Sequence, residues 1–380
     1  MERSYGRAFL PIITSAHLAN DFYMMILPPL LPLLISTLKL SYFLAGILIS
    51  LMLGASFVAS PLVGYLADAK RCRRSVLSLG FLIYGLGTFS LGLIDTSVEL
   101  ALICVLLGVA QAAYHPQAVT LISASSKGSE GKALGIHGVG GSLGHFVAPL
   151  AVGYLFSTLD LRSGLAFLGL LAILIGATLR LILREPEVFK AGKLAKTFTL
   201  NLVLLTVVSS LRDVVYRSFT SFLPSFFVAQ GRMLLAAGAL TSLMLVVGSV
   251  AQPLGGWLSD RFGRKAMFNA SLALLTLSLL GFSAFKGVWR LAFLPLIGFG
   301  VFLTFPVALI YASELAGGGG AGAPVGFMFG TSQLIASMGP ALMGWTIDAY
   351  GFEASFYLMV GAALAAFVSS LTLPKRNAAA

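Results

Sequence analysis

Stretches of roughly 20 apolar residues follow one another along almost the whole chain, each long enough to cross a hydrocarbon core about 30 Å thick as a helix. Twelve are expected, at 8–36, 42–67, 75–94, 98–125, 133–158, 163–183, 199–229, 233–258, 266–285, 288–313, 324–348 and 354–373. No polar segment between them is long enough to build a soluble domain. The 380 residues are 58% hydrophobic and only 10% charged, where soluble domains carry about 25% charged residues. The first run lacks a small-residue cleavage site and is followed at once by further spans, so it reads as a retained helix.

A net charge of +11 would suggest nucleic acid as the partner of a soluble protein, but the positions of the charges give a different answer. Alternate loops, starting with the N-terminus, hold about 18 of the 25 Lys and Arg, and by the positive-inside rule both termini are then cytoplasmic. These are Arg3 and Arg7, Lys70 to Arg74, Lys127 and Lys132, Arg180 to Lys196, Arg261 to Lys265, and Lys375 and Arg376. The basic excess therefore reports topology and contact with membrane lipids; no nucleic-acid partner is expected. Cys72 and Cys104 belong to different levels of the chain, one in a loop and one in a span, so neither a disulfide nor a cysteine metal site is expected.

The sequence is written twice. Residues 44–68 and 236–260 are identical at 14 of 25 positions, including Gly46/Gly238, Ser50/Ser242, Pro61/Pro253, Gly64/Gly256 and Asp68/Asp260. The same offset of 192 sets Asp21 on Asp213 and Pro32 on Pro224, and offsets of 190 and 191 set Gly108 on Gly298 and Pro149 on Pro340. Chance apolar similarity would not hold one register while matching Pro, Gly and Asp. Two six-helix halves in parallel topology are expected, 1–183 and 199–380, joined by a basic cytoplasmic linker at 184–198. Such repeats are the arrangement of transporters that rock two halves about a central site.

The loop after the eighth span reads Gly256-Trp257-Leu258-Ser259-Asp260-Arg261-Phe262-Gly263-Arg264-Lys265, and its first-half partner runs from Gly64 through Asp68 to Arg74. Both resemble the G-x-L-a-D-r-x-G-r-k loop of the major facilitator superfamily, the Gly64–Arg74 copy with one extra residue and no glycine after the aspartate. The resemblance implies an all-α membrane protein of twelve transmembrane helices in two pseudo-symmetric halves. It also implies a gating role for Asp68, Asp260, Arg261 and Arg264. Gly144-His145-Phe146-Val147-Ala148-Pro149-Leu150-Ala151-Val152-Gly153 resembles a degenerate form of that family's antiporter motif, which makes His145 and Pro149 gate candidates along with His137. Cys104 stands where the family's proton antiporters often carry an arginine, so arginine-assisted proton transfer is not available there.

Closer still is the set His17-Leu18-Ala19-Asn20-Asp21, Tyr114-His115-Pro116-Gln117 and Ile136-His137-Gly138-Val139-Gly140-Gly141, with Leu211-Arg212 and Phe222-Leu223-Pro224. These stretches resemble the fosmidomycin-resistance-like branch of the superfamily, which implies efflux of a small anionic compound from the cell across the plasma membrane.

Ionisable groups at mid-membrane cost several kcal/mol unless they face a partner or a cavity, so each is a functional candidate. Thr14, His17, Asp21 and Met24 share one helical face of the first span. Thr206, Ser209, Asp213, Arg217 and Thr220 repeat the pattern in the seventh, where Asp213 and Arg217 are spaced to pair. Histidine titrates near neutral pH, whereas arginine holds a fixed charge and a planar fork suited to phosphonate or carboxylate. Protons are therefore assigned to Asp21, His17, His115 and Asp213. The anionic substrate is assigned to Arg217 and Arg212, with Gln111, Tyr114 and Asn20. A plainer alternative is that the aspartates and arginines hold spans 1 and 7 together and that His137 and His145 serve packing. The four histidines form no Cys/His array or carboxylate triad in the sequence, so no metal is expected. No cofactor motif or nucleophile–base arrangement is present, so an enzyme is not expected, and the glycine run at 317–322 lacks the lysine of a phosphate loop. The reading is a monomeric secondary transporter, proton-coupled and exporting. A symporter importing an anion, or a receptor or scaffold on the same fold, are the alternatives.

Overall fold

A computed structural model describes residues 8–126, 130–184, 199–315 and 322–374. Residues 185–198 of the basic linker, Arg3, Arg7, Lys127, Lys375, Arg376 and most of the 317–322 glycine run lie outside the described residues.

The described residues form helices α1 (Phe9–Met24), α2 (Leu27–Leu38), α3 (Tyr42–Ala69), α4 (Arg73–Ser90), α5 (Ser97–Ala112), α6 (His115–Ser125), α7 (Glu130–Thr158) and α8 (Leu161–Ile182). They continue with α9 (Leu200–Ala229), α10 (Leu234–Val246), α11 (Gly248–Phe262), α12 (Arg264–Ala284), α13 (Gly287–Leu291), α14 (Phe293–Leu315), α15 (Gly322–Ala336) and α16 (Gly339–Ser370). Proline explains several of the breaks, because it cannot donate the i→i−4 hydrogen bond and fits best in a first turn. Proline stands at the first or second position of α2, α6 and α16 and interrupts spans 1, 4 and 11 there. Conversely, α16 runs two spans together across Gly351, whose φ of 82° only glycine adopts without strain.

With α1–α2, α5–α6, α10–α11, α13–α14 and α15–α16 each continuing one path, the chain crosses twelve times. Among the described residues, nine stretches qualify as membrane spans on length and composition. One of them, Pro324–Ser370, folds back at Gly351 and counts twice. The remaining crossings are α4, which opens on Arg73 and Arg74, and α9, which carries Arg212, Asp213 and Arg217.

Contacts divide the chain into two compact units. The first is Met1–Leu40, Leu48–Lys190 and Phe227–Ala239; the second is Ser41–Ile47, Ala191–Phe226 and Leu240–Ala380. The unit boundaries thus leave the sequence halves at 41–47 and 227–239. In the first unit α4 packs along α8 and α1 along α7, and Tyr23 donates to the Leu168 carbonyl at 2.6 Å. In the second, α12 packs against α14 and α16 around Phe268, Leu272, Val307 and Tyr311.

The repeat seen in sequence recurs as packing. Gly108 lies on the Met52 carbonyl in the first unit, and Gly298 lies on the Met244 carbonyl in the second. Gly238 meets the Pro149 carbonyl just as Gly46 meets that of Pro340. Each glycine lets two backbones touch where any side chain would hold them apart. At the start of α3, the Tyr42 and Phe43 N–H groups donate to the Asp348 carboxylate at 3.0 and 2.8 Å, which satisfies two free donors of that helix end.

Candidate functional site

On α1, His17, Asn20 and Asp21 are all buried and share one side of the helix. They have room because α7 offers them glycines. A Cβ on Gly140 would strike Thr14. One on Gly144 would reach to 2.9 Å of the Asp21 Cβ, and one on Gly141 would stand 2.6 Å from the Asp21 carboxylate and 2.7 Å from His17 Nε2. Gly141→Ala is therefore expected to cost about 1–3 kcal/mol of stability and to lose transport. Gly138→Ala, which meets nothing within 4 Å, should leave both unchanged; thermal melting in detergent and transport assays check the pair.

Around Asp21 the chain gathers all four of its histidines. His17 Nδ1–H donates to the His137 carbonyl at 2.7 Å, which leaves Nε2 turned toward Asp21 Oδ2 at 3.4 Å. His115, brought in by the break between α5 and α6, places Nε2 3.7 Å from Oδ1; His145 places its own 3.6 Å from Oδ2. The His17 ring stacks on His137 with centroids 4.1 Å apart and meets His115 edge-on at 5.2 Å. Asn20 donates to Asp21 Oδ1 at 2.8 Å. One carboxylate thus faces three imidazole nitrogens deep in the first unit. Two residues expected to hold substrate tie span 4 to span 1 here: Tyr114 donates to the Ile13 carbonyl at 2.6 Å, and Gln111 to the Met24 sulfur at 2.8 Å.

The second unit repeats the skeleton with different chemistry. Asp213 does not pair with Arg217, as the spacing suggested, but with its neighbour Arg212 at 2.6 Å, both buried. Arg217 reaches Gln333 at 3.1 Å and lies over the Tyr216 ring. Asp213 and Arg212 border a cavity of about 10 Å³, room for about one water, together with Ser209, Phe305, Met328 and Ser332. The register of the repeat sets Ser209 on His17, Arg212 on Asn20, Phe305 on His115, Met328 on His137 and Ser332 on Gly141. This cavity is the counterpart of the histidine cluster.

The motif loops form ion networks. Asp68 pairs with Arg73, which also donates to Gln117 at 3.0 Å. Asp260 pairs with Arg264 at 2.5 Å, and Arg264 reaches Glu314 and the Ser259 hydroxyl, each at 2.8 Å. Arg261 lies over the Trp257 and Phe262 rings.

The sequence reading did not place His137 and His145 with Asp21. The signal was available: His137, Gly141 and His145 stand four residues apart, a stripe in which a glycine opens the space between two rings.

Twelve helical crossings in a repeated plan, with ionisable groups buried in each unit, define a membrane transporter. The chain belongs to the Major Facilitator Superfamily, whose family model matches residues 13–236 and 205–380. It is 28% identical over 366 residues to an uncharacterized MFS-type transporter of Bacillus subtilis, covering 90% of this chain and 87% of that one. It is 25% identical over 370 residues to the fosmidomycin resistance protein of Escherichia coli, covering 92% and 88%. Its fold matches a bacterial homolog of the human lysosomal transporter Spinster with a TM-score of 0.84 at 17% identity, over 98% and 97% of the two chains. It matches a D-xylose-proton symporter with a TM-score of 0.81 at 14% identity, over 98% and 99%. The protein is thus a multi-pass membrane transporter acting on a small molecule.

Proposed function

We propose that this transporter exports a small anionic or amphipathic compound, of the phosphonate-drug or metabolite type, in exchange for protons. The observation that carries the reading is the buried Asp21 carboxylate facing the Nε2 atoms of His17, His115 and His145. These groups take up and release the coupling proton. The fixed charges of Arg212 and Arg217 attract the anion. Similarity along nearly the whole chain to a fosmidomycin resistance protein favours export. The halves 1–183 and 199–380 work by alternating access in the plasma membrane. The termini are cytoplasmic, on the side where the basic loops gather.

The test uses purified protein in liposomes that contain a pH dye, with fosmidomycin and a panel of phosphonates and carboxylates. Proton movement opposite to the ligand is the expected result. Movement in the same direction would make the protein a symporter, and no ligand-dependent movement overturns the coupling. In the same assay Arg217→Gln, which removes a charged hydrogen-bond donor, should weaken anion affinity about tenfold or more; unchanged affinity removes Arg217 from the substrate site.

The Asp68–Arg73 and Asp260–Arg264–Glu314 networks serve as latches of one conformational state. Their side chains are largely exposed at Asp68 and Asp260, so neutralising both aspartates should cost at most about 1 kcal/mol of stability at each loop. It should nonetheless shift the balance of states, read as distances between spin labels on the terminal-side loops. An unmoved distance distribution excludes the latch.

A further inference from the structure

We propose that the Asp21 cluster is a binding site for a divalent transition-metal ion of the Zn²⁺ type, with His17, His115 and Asp21 as ligands and His145 as the fourth. Geometry separates this from a set of ordinary hydrogen bonds. The three imidazole–carboxylate distances are 3.4, 3.7 and 3.6 Å, all longer than a charge-assisted N–H···O bond of about 2.7–2.9 Å. With metal–nitrogen and metal–oxygen bonds of about 2.0–2.2 Å, ligand atoms around a tetrahedral zinc stand about 3.4 Å from one another. The three imidazole–carboxylate distances are close to that spacing. One donor atom each from His17, Asp21 and His115 lie within 4.8 Å of one another.

The surroundings are those of a metal site rather than a packing contact. The His137 carbonyl accepts from His17 Nδ1–H at 2.7 Å, which fixes the tautomer and leaves the Nε2 lone pair for a cation. Asn20 donates to one Asp21 oxygen at 2.8 Å and orients the carboxylate. His17, Asn20 and Asp21 are buried, whereas the His115 side chain is 44% exposed, which supplies an entry path. Nitrogen-rich ligation selects Zn²⁺, Co²⁺ or Ni²⁺ over Mg²⁺ or Ca²⁺, which prefer all-oxygen shells. Asp21 and the histidines all come from α1, α6 and α7 of the first unit, so the site is complete within it.

The site is the one to which the coupling proton is assigned, and a metal ion competes with that proton for the same lone pairs. Zn²⁺ should therefore stop proton-driven transport. The two readings fail separately, because metal binding is measured on purified full-length protein with no gradient or substrate, and proton movement is measured with a chelator present. Stripped protein is titrated with Zn²⁺ against a chromophoric chelator, and with Co²⁺ while its visible ligand-field bands are followed. One ion per chain and the intense bands of tetrahedral Co²⁺ are expected. His115→Ala and Asp21→Asn should each weaken binding beyond the roughly 10–100-fold lost with an outer-shell partner. His115→Ala, at the exposed edge, tests the site without opening a core cavity. Absence of those bands, or Zn²⁺ affinity unchanged in both variants, overturns the proposal.

Discussion

Asp21→Asn is expected to abolish pH-driven transport, with a loss of roughly 100-fold or more, the low end of what a positioned proton-transfer group contributes. The change is isosteric, so the cramped space between α1 and Gly141 and Gly144 is not disturbed. It leaves three imidazoles without a carboxylate, and imidazole can shed its proton and remain buried as a neutral ring. Stability should therefore change little. Exchange of labelled substrate without a pH gradient should survive better than pH-driven flux, because only the proton step is removed. Intact pH-driven flux would show that the proton is carried elsewhere.

The repeat-related change, Asp213→Asn, should behave in the opposite way. Arg212 is 4% exposed and its carboxylate partner lies 2.6 Å away. A guanidinium does not deprotonate in proteins. Removing the aspartate strands a buried charge, which costs about 3–5 kcal/mol. The variant should melt many degrees lower or fail to accumulate in the membrane. Converting Arg212 to Met in the same chain should recover most of the loss, since replacing both members of a buried pair by apolar groups is often neutral. Thermal melting of the single and double variants checks this. A single variant as stable as the parent would mean that Arg212 finds another anion or water.

Which features were legible in the sequence follows from how local they are. Apolar length and the Pro, Gly and Asp register showed the twelve crossings and the twofold plan, because span length and backbone-to-backbone contact depend on single residue types. The glycines at 46, 108, 238 and 298 confirm it, each seated on a carbonyl at its repeat-related place. Partner choice was less legible. Spacing four residues apart favoured Arg217 for Asp213, but burial brought in the adjacent Arg212, and Arg217 turned to Gln333 on another helix. The histidine cluster joins three helices and depends on the break at residues 113–114, which sets His115 at the start of α6. Helical periodicity shows the His137–Gly141–His145 stripe on one face but not which other helices meet it. The sequence therefore offers His137 and His145 as gate or packing residues, whereas His137 stacks on His17 and His145 faces Asp21.

The same aspartate thus stands twice in the repeat, once beside groups whose charge comes and goes and once beside a permanent cation. Asp213 is compensated by Arg212 at every stage, whereas the charge at Asp21 depends on whether its site is filled. An emptied carrier would keep an uncompensated negative charge at Asp21, while the second unit keeps the cation of Arg217, held by Gln333 and the Tyr216 ring. A full charge carried across the membrane potential is worth about 2.3 kcal/mol per 100 mV. The voltage dependence of the return step should therefore change with the filling of the Asp21 site, against a fixed contribution from Arg217.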